Sequence, residues 1–231
     1  MALERTRSAG FWGHATGAIL AIVSAGIPAA TISRLPLYLR CLGDIEEDQT
    51  TCSSEQLAAS AGVNPAHVRK DREYIDPPGV RGVGYDVTAL RSLLRRELGL
   101  TKTYRVAIAG AGNLGSALTL YPGFLESGFQ VVAIFDSDPD KVGTQLNSLT
   151  IEALQDLEMV VKARSASIGV IATPATAAQE VADRFVGAGI RSILNFAPAV
   201  LRKASGVEVR RVDLSTELQI LAFHQQPEGA S

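Results

Sequence analysis

The stretch YRVAIAGAGNLGSALTL, residues 104–120, joins a short apolar run to a glycine-rich turn and a helix-like segment. Its turn fits the pattern G-x-G-x-x-G with Gly110, Gly112 and Gly115. In that pattern the first glycine makes a tight turn, the second lets the backbone approach a pyrophosphate, and the third lets the helix pack closely on the strand. Backbone amides at the start of the helix also favour an anion. The stretch therefore predicts the first strand, turn and helix of a Rossmann-type dinucleotide-binding domain.

An acidic residue after the next apolar run indicates which dinucleotide binds. The run VVAIF, residues 131–135, is followed by Asp136, which lies 21 residues beyond Gly115. A carboxylate at this place accepts hydrogen bonds from the adenine ribose hydroxyls and repels a 2′-phosphate. No arginine adjoins Asp136 to receive such a phosphate. The spacing therefore predicts NADH or NAD⁺ as the ligand, and the alternative is a tight turn that binds none.

Strand-like and helix-like segments alternate through the rest of the chain. This alternation is typical of a parallel sheet with helices on both faces. The predicted strands are 104–109, 131–135, 168–172, 193–196 and 207–212, and the predicted helices are 114–120, 151–162, 176–188 and 216–225. In the last helix, Leu218, Leu221 and Ala222 share one face.

A first helix is predicted to begin at Pro28 and Ala29, well before the glycine-rich turn. Its apolar stripe consists of Ile32, Leu35, Leu39 and Leu42. We expect Pro36 to kink this helix or to mark an early turn. The acidic residues from Asp44 to Asp48 are predicted to form a loop.

Two short helices joined by a tight turn are predicted to follow. Ser53 and Ser54 cap a helix that ends at Gly62, and Asn64 with Pro65 begins the next. This arrangement predicts a helix-turn-helix whose second helix enters the major groove of DNA. The Gly- and Pro-rich segment 76–85 predicts a two-stranded wing with Arg81 at its tip, and a further helix over 87–98 leads to a linker at Gly99.

The net charge of −2 over 231 residues conceals basic segments. Residues 1–40 and 64–96 each carry a net charge of +3, whereas residues 41–60 carry −5. Basic side chains on the second helix of the motif can contact phosphates or guanine edges, and the alternative is a solvated charged face. The residues predicted to bind DNA are Ser53, Ser54, Pro65, His67, Arg69, Lys70, Arg72 and Arg81.

Proton-transfer groups of a dehydrogenase are missing from the places where they are expected. His14, His67 and His224 all lie outside any substrate domain, and no tyrosine is followed by a lysine four residues later. A substrate domain needs at least about 50 residues, and too few remain after the Rossmann region. A nucleotide site without a substrate site favours a sensor that is not an enzyme. An NAD-dependent oxidoreductase with a small helical cap is the alternative.

The N-terminus and the cysteines indicate the compartment. Residues 17–30 follow Arg5 and Arg7 and are similar to a signal peptide, but they are too short to span a membrane. We expect an N-terminal extension, with cleavage as the alternative, and no membrane role. With only Cys41 and Cys52, no metal site is expected. Both are interpreted as packing residues in a reducing cytoplasm, with a thiol sensor as the alternative.

Ten stretches between residues 27 and 224 carry a resemblance to a known family. They are IPAATISRLPLYLR (27–40), SSEQLAASAGV (53–63), VRKD (68–71), RGVGYDV (81–87), GAGNLGSAL (110–118), YPGF (121–124), VVAIFDSDPDKVG (131–143), IGVIATPATAAQEVADR (168–184), ILNFAP (193–198) and VDLSTELQILAFH (212–224). VRKD and RGVGY followed by GAGNLG and YPGF form a specific combination, which dehydrogenases in general do not share. The chain resembles the Rex family of bacterial redox-sensing transcriptional repressors.

The resemblance implies a homodimer with an N-terminal winged helix, a Rossmann domain and a last helix that swaps into the partner. It implies that inverted-repeat operators are bound when NAD⁺ is high and released when NADH closes the dimer. The cofactor-binding residues that it implies are Gly110, Ala111, Gly112, Asn113, Leu114, Gly115, Asp136, Lys141, Thr173, Pro174, Asn195, Phe196 and Ala197. It also implies a switching pair, Tyr121 and Asp213, with Arg40 as the partner of Asp213 in the DNA-bound state.

One segment departs from the family's pattern. After VRKD the family usually has an aromatic, glycine-rich segment, whereas this chain has EYIDPPG at 73–79. Its two prolines remove amide donors, and Asp76 adds a negative charge close to where phosphates would lie. A family member with weakened or lost DNA binding is therefore a further alternative.

The expected organisation has four parts. They are an N-terminal extension (1–27), a winged-helix DNA-binding domain (28–98), a Rossmann NAD(H)-binding domain (99–214) and a C-terminal dimerisation helix with its tail (215–231). The expected function is that of a repressor that senses the NADH/NAD⁺ ratio.

Overall fold

The computed structural model describes residues 26–46, 49–75 and 84–225. These residues form two compact units that divide between Thr101 and Lys102. The predicted N-terminal extension lies outside the described residues except for its last two, and so does the predicted wing except for its last two.

The N-terminal unit is helical with one small sheet. Its helices are α1 (Ala29–Glu46), α2 (Ser54–Ala61), α3 (Pro65–Glu73) and α4 (Val87–Glu97), and its strands are β1 (Thr51–Cys52) and β2 (Tyr85–Asp86). The two strands pair antiparallel, with Cys52 opposite Tyr85. Leu35, Leu57 and Leu94 are fully buried and join the helices in one apolar core.

Local capping explains where α2 and α3 begin and end. Ser53 Oγ accepts from the backbone amide of Gln56, and the Gln56 side chain accepts from the amide of Ser53, so α2 starts with a reciprocal capping box. Gly62 ends α2 in the left-handed conformation with φ +66°. Asn64 caps α3, and Pro65 occupies its first turn. The predicted helix-turn-helix is confirmed.

Two expectations for α1 were wrong. The helix runs through Pro36 and continues to Glu46, so Asp44 and Glu46 are helical and not in a loop. Ile32 is exposed. Thr31 and Tyr38 are buried instead, because their hydroxyls donate hydrogen bonds to the carboxylate of Asp71 in α3. Cys41 and Cys52 are buried in the core, and burial raises the pKa of both thiols.

The C-terminal unit alternates strands and helices. Its strands are β3 (Tyr104–Ala109), β4 (Phe129–Asp136), β5 (Gln145–Leu146), β6 (Leu149–Ala153), β7 (Ile168–Ile171), β8 (Ser192–Asn195) and β9 (Glu208–Arg211). Its helices are α5 (Asn113–Thr119), α6 (Pro122–Glu126), α7 (Leu157–Ala163), α8 (Ala175–Gly187) and α9 (Leu214–Phe223), with a 3₁₀ turn at Leu154–Asp156.

Within the described ranges, these strands form one sheet in the order β5-β6-β4-β3-β7-β8-β9. All pairs are parallel except β5 with β6. Alternate residues of β3 enter different cores, since Val106 and Ile108 face one side and Ala107 and Ala109 the other. The strand order reverses between β3 and β7, and the crevice at this point is where doubly wound sheets bind ligands. The Rossmann prediction is confirmed.

The predicted helix over 151–162 was wrong in its first half. Ile151 pairs with Ile134 of β4, so Leu149–Ala153 forms a strand and the helix begins only at Leu157. The β-branched Thr150 and Ile151 suit a strand, and the neighbouring edge of β4 supplies the pairing. The short helix α6 and the strand β5 were not anticipated.

Candidate nucleotide and DNA-binding sites

The glycine-rich turn is held by contacts that exclude side chains. Gly110 has φ +105°, and a Cβ added to it would lie 2.5 Å from the carbonyl oxygen of Ala172. A Cβ on Gly115 would lie 1.8 Å from the carbonyl oxygen of Gly110. By contrast, a Cβ on Gly112 would meet nothing within 4 Å. Gly112 precedes α5 without a side-chain cap, so the exposed turn formed by Gly112, Asn113 and Leu114 leaves backbone accessible to a ligand.

Asp136 ends β4 beside this turn. Its Oδ2 accepts a hydrogen bond from the backbone amide of Ala111 at 2.8 Å, and its Oδ1 accepts from that of Asp138 at 2.9 Å. Lys141 Nζ lies 3.3 Å from Asp136 Oδ2. Burial raises the pKa of Asp136, but these three donors outweigh it and hold the pKa below its usual value. The carboxylate is therefore ionised and fixed against the glycine-rich turn.

The residues predicted on the nicotinamide side follow β7 and β8. Thr173 and Pro174 lie between β7 and α8, and the Oγ1 of Thr173 is buried without a hydrogen-bond partner in the described part of the chain. Asn195 ends β8, is buried, and holds the following loop by accepting from the amide of Ala197 and donating to the carbonyl of Ala199. The amide of Phe196 donates to the carbonyl of Ile171 in β7. The structure thus brings these residues to the carboxyl ends of neighbouring strands.

The predicted DNA-binding residues that the structure describes differ in exposure, and Ser54 is buried. His67, Arg69 and Lys70 are exposed on α3. Arg69 Nη1 contacts Glu55 Oε1 at 2.9 Å and Ser54 Oγ at 3.2 Å, which links α3 to α2. Arg72 lies over the ring of Tyr85, with 4.5 Å to its centroid. Ser53 and Pro65 act locally as cap and first-turn residue, and Arg81 lies outside the described residues.

Asp71 is the most buried charged residue of α3, and its role was not predicted from the sequence. The carboxylate of Asp71 is contacted by Thr31, Arg34 and Tyr38 of α1. Asp71 belongs to the charged run 69–73, but it lies three residues after Val68, and Ile75 lies seven residues after Val68; both apolar residues are buried. That spacing of three and seven residues is a signal in the sequence that could have found it.

The three residues of the implied switch occupy different settings. Arg40 is exposed on α1. Tyr121 precedes α6 and is 56% exposed, with its ring edge-on to Phe124. Asp213 caps α9 by accepting from the amides of Ser215 and Thr216, and it pairs with Arg211. The hydrogen bond from Ser215 is the main cause that lowers the pKa of Asp213 to about 2.

No group of three metal-ligating side chains occurs among the residues described by the structure. Within the same residues, no helix has the length and apolar character needed to cross a membrane.

A helix-turn-helix unit followed by a dinucleotide-type Rossmann unit defines a DNA-binding regulator that responds to a nucleotide. Residues 26–71 match the family model "Putative DNA-binding protein N-terminus", and residues 101–199 match the model "CoA binding domain". The chain is 55% identical over 204 residues to the redox-sensing transcriptional repressor Rex of Streptomyces avermitilis, covering 88% of this chain and 81% of that relative. It is 46% identical over 199 residues to Rex of Desulfitobacterium hafniense, covering 86% and 95%. The chain belongs to the Rex family of redox-sensing transcriptional repressors.

Solved structures of a family member agree in fold. The crystal structure of RSP, a Rex-family repressor, matches with a TM-score of 0.79 at 35% identity, covering 86% of this chain and 93% of that one. RSP in complex with β-NADH matches with a TM-score of 0.77 at 34% identity, covering 87% and 95%. RSP in complex with β-NAD⁺ and operator DNA matches with a TM-score of 0.80 at 35% identity, covering 86% and 92%.

Proposed function

We propose that this chain is a homodimeric cytoplasmic repressor that binds an inverted-repeat operator and is released from it by NADH. The DNA-binding domain spans 28–98, the NAD(H)-binding domain spans 99–214, and residues 215–231 supply the dimerisation helix and tail. The observation that carries this proposal is the joining of a capped helix-turn-helix to a glycine-rich dinucleotide turn in one chain.

The glycine-rich turn, Asp136 and the loops after β7 and β8 fit a dinucleotide. Gly112 leaves room for a pyrophosphate, and the orphaned Oγ1 of Thr173 offers a buried hydrogen-bond group to the nicotinamide half. Asp136 is fixed at the strand end where ribose hydroxyls are bound in Rossmann domains, and Lys141 steadies it. The other predicted cofactor-binding residues follow β3, β4 and β8 in the chain, which supports the same assignment. The nucleotide acts here as an effector, so no reaction step is assigned to it.

The exposed face of α3 supports DNA binding. Arg69 and Lys70 are exposed there, and their charge suits phosphates and guanine edges. In the DNA-bound state of the proposed dimer, the α3 helices of the two protomers lie about 34–36 Å apart, which corresponds to one turn of DNA.

The last helix supports a dimer. Within the described residues, α9 has no buried side chain, and five large apolar residues are exposed on it: Leu214, Leu218, Ile220, Leu221 and Phe223. An isolated helix of this composition gains stability only by packing on another surface. We assign that surface to the partner, with Tyr121, Asp213 and Arg40 exchanging contacts between the two states.

Regulation without turnover is part of the proposal. NADH mixed with simple carbonyl compounds and catalytic amounts of the protein should keep its absorbance at 340 nm. Steady consumption of NADH would instead establish the oxidoreductase alternative.

The deciding experiment measures DNA binding by fluorescence anisotropy on a duplex that the protein itself selects from a random-sequence library. Binding should persist with NAD⁺ or no nucleotide and disappear with NADH. Since linkage is reciprocal, the duplex must weaken NADH binding by the same factor. The proposal would be overturned if the folded protein selected no duplex. It would also be overturned if the duplex left the NADH affinity unchanged.

A further inference from the structure

The carboxylate of Asp71 accepts four hydrogen bonds from side chains of one other helix. Its Oδ1 accepts from Thr31 Oγ1 at 2.8 Å and from Arg34 Nη2 at 2.7 Å. Its Oδ2 accepts from Arg34 Nε at 2.6 Å and from the Tyr38 hydroxyl at 2.8 Å. The Asp71 side chain is only 2% exposed. We call these four residues the Asp71 network.

The Asp71 network occupies the face of α3 that is turned away from the predicted DNA contacts. Val68 and Asp71 are buried in the domain, while Arg69 and Lys70, which lie between them in sequence, are exposed. Residues on a helix are related by a fixed rotation, so a constraint on Asp71 also fixes the direction of Arg69 and Lys70. The donors span two turns of α1, so they constrain both the rotation and the sliding of α3.

Apolar packing alone constrains a helix less. Hydrophobic burial is non-directional, whereas hydrogen bonds and bidentate guanidinium–carboxylate pairs fix angles as well as distances. Contacts to base edges need such placement, but attraction to phosphates tolerates small displacements. Loss of the Asp71 network should therefore weaken the distinction between operator and other DNA more than it weakens DNA binding in general.

We propose that Thr31, Arg34, Tyr38 and Asp71 are positioning residues that set the rotation of α3 and so determine how well this repressor distinguishes its operator. This inference rests on the proposed operator binding and deepens it. It assigns these four residues a role in DNA recognition that they exert through the orientation of α3.

The test separates positioning from stability by replacing the whole network with apolar residues. The variant Thr31→Val/Arg34→Met/Tyr38→Phe/Asp71→Leu removes every polar partner together, and such replacement of buried ion pairs is often neutral for stability. Val87→Ala is the matched control, since it removes volume from the same core without touching the network. All proteins are full-length, and affinities are measured well below their unfolding temperatures.

The readout is the ratio of affinities for the selected duplex and for a scrambled duplex of equal composition. The apolar variant should lose at least tenfold in this ratio while its NADH affinity stays at the wild-type value. Val87→Ala should unfold at a lower temperature but keep the wild-type ratio. A folded apolar variant with the wild-type ratio would overturn the inference.

A milder variant covers the case in which the apolar variant does not fold. Thr31→Val/Tyr38→Phe keeps the Arg34–Asp71 pair and deletes two of the four hydrogen bonds. Its ratio should fall below that of the wild type, and an unchanged ratio would again contradict the inference. If the wild-type protein prefers no duplex, the proposed function itself fails, which is a distinct result.

Discussion

Asp71 in the N-terminal unit and Asp136 in the C-terminal unit both lie beside residues assigned to ligand binding, but their partners differ in kind. Asp71 is saturated by side chains of a helix more than 30 residues earlier in sequence. Asp136 is held mainly by backbone amides, one of them in the glycine-rich turn itself. A carboxylate whose partners are side chains joins two helices and is sensitive to mutation of either. A carboxylate held by backbone amides fixes the conformation of a loop, and it lies beside that loop, where a ligand can contact it.

Asp71→Ala should have the largest effect of the substitutions considered for these two carboxylates. The substitution leaves the Arg34 guanidinium and two hydroxyls without their partner, and breaking a buried ion pair costs about 3–5 kcal/mol. Hydrogen exchange of peptides from residues 29–75 should speed up accordingly, while peptides from β3 and β4 stay protected. Equal protection of residues 29–75 in variant and wild type would show that the Asp71 network contributes no stability.

Acid should act on the same carboxylate. Burial raises the pKa of Asp71, but the donors, with Arg34 first, outweigh it and lower the pKa from its usual value. A carboxyl whose pKa is lowered by folding contributes stability that is fully present above its unfolded-state pKa of about 3.9. This stability is lost as the pH falls through the lower pKa of the folded state. Protection of residues 29–75 from hydrogen exchange should therefore decline as the pH falls below the unfolded-state pKa of Asp71. Asp71→Asn should be less stable at neutral pH and lack this part of the acid dependence.

Asp136→Ala should have the next largest effect, and this effect should be on NADH binding. Losing a charged acceptor costs about 1.5–3 kcal/mol, which corresponds to a loss of about 10–150-fold in NADH affinity. Operator binding without nucleotide should remain within twofold of wild type. Titration of NADH fluorescence and duplex anisotropy on one preparation would check both, and joint loss in a folded protein would contradict the assignment.

Arg69→Ala/Lys70→Ala tests the exposed face of α3. Removing two phosphate contacts should reduce the dependence of log affinity on log salt by about 2, with roughly a tenfold loss of operator affinity at moderate salt. NADH affinity should stay unchanged. Lys102→Ala, an exposed lysine of the C-terminal unit, is the matched charge control. An unaltered salt dependence would show that the exposed face of α3 does not contact phosphates and is only a solvated charged face.

Glu55→Gln should have the smallest effect. Glu55 holds Arg69 at 2.9 Å across the turn, and exposed ion pairs contribute little. Removing its negative charge beside Arg69 should raise the association rate with DNA by less than about fivefold. Stopped-flow anisotropy would measure the change. A large fall in affinity would instead mean that Glu55 orients Arg69 for base contacts.

Local signals in the sequence determined much of this protein. Ser53, Gly62, Asn64 and Pro65 mark the ends of α2 and α3, because capping depends on residues three or four positions apart. The same holds for Gly110, which has φ +105° in the tight turn, and for Gly115, which packs against the carbonyl of Gly110 five residues earlier. The alternation of strands and helices then predicted the parallel sheet.

Tertiary structure decided what depends on distant partners. Asp71 is a charged residue in a charged run, and only the approach of α1 makes it a buried acceptor. Residues 149–153 form a strand because the edge of β4 offers them hydrogen bonds, not because their pattern excludes a helix. Likewise Asp136 meets the amide of Ala111 only because β3 and β4 are neighbours in the sheet. Propensity and capping act within a few residues, whereas burial and strand pairing are set by segments that the chain brings together only when it folds.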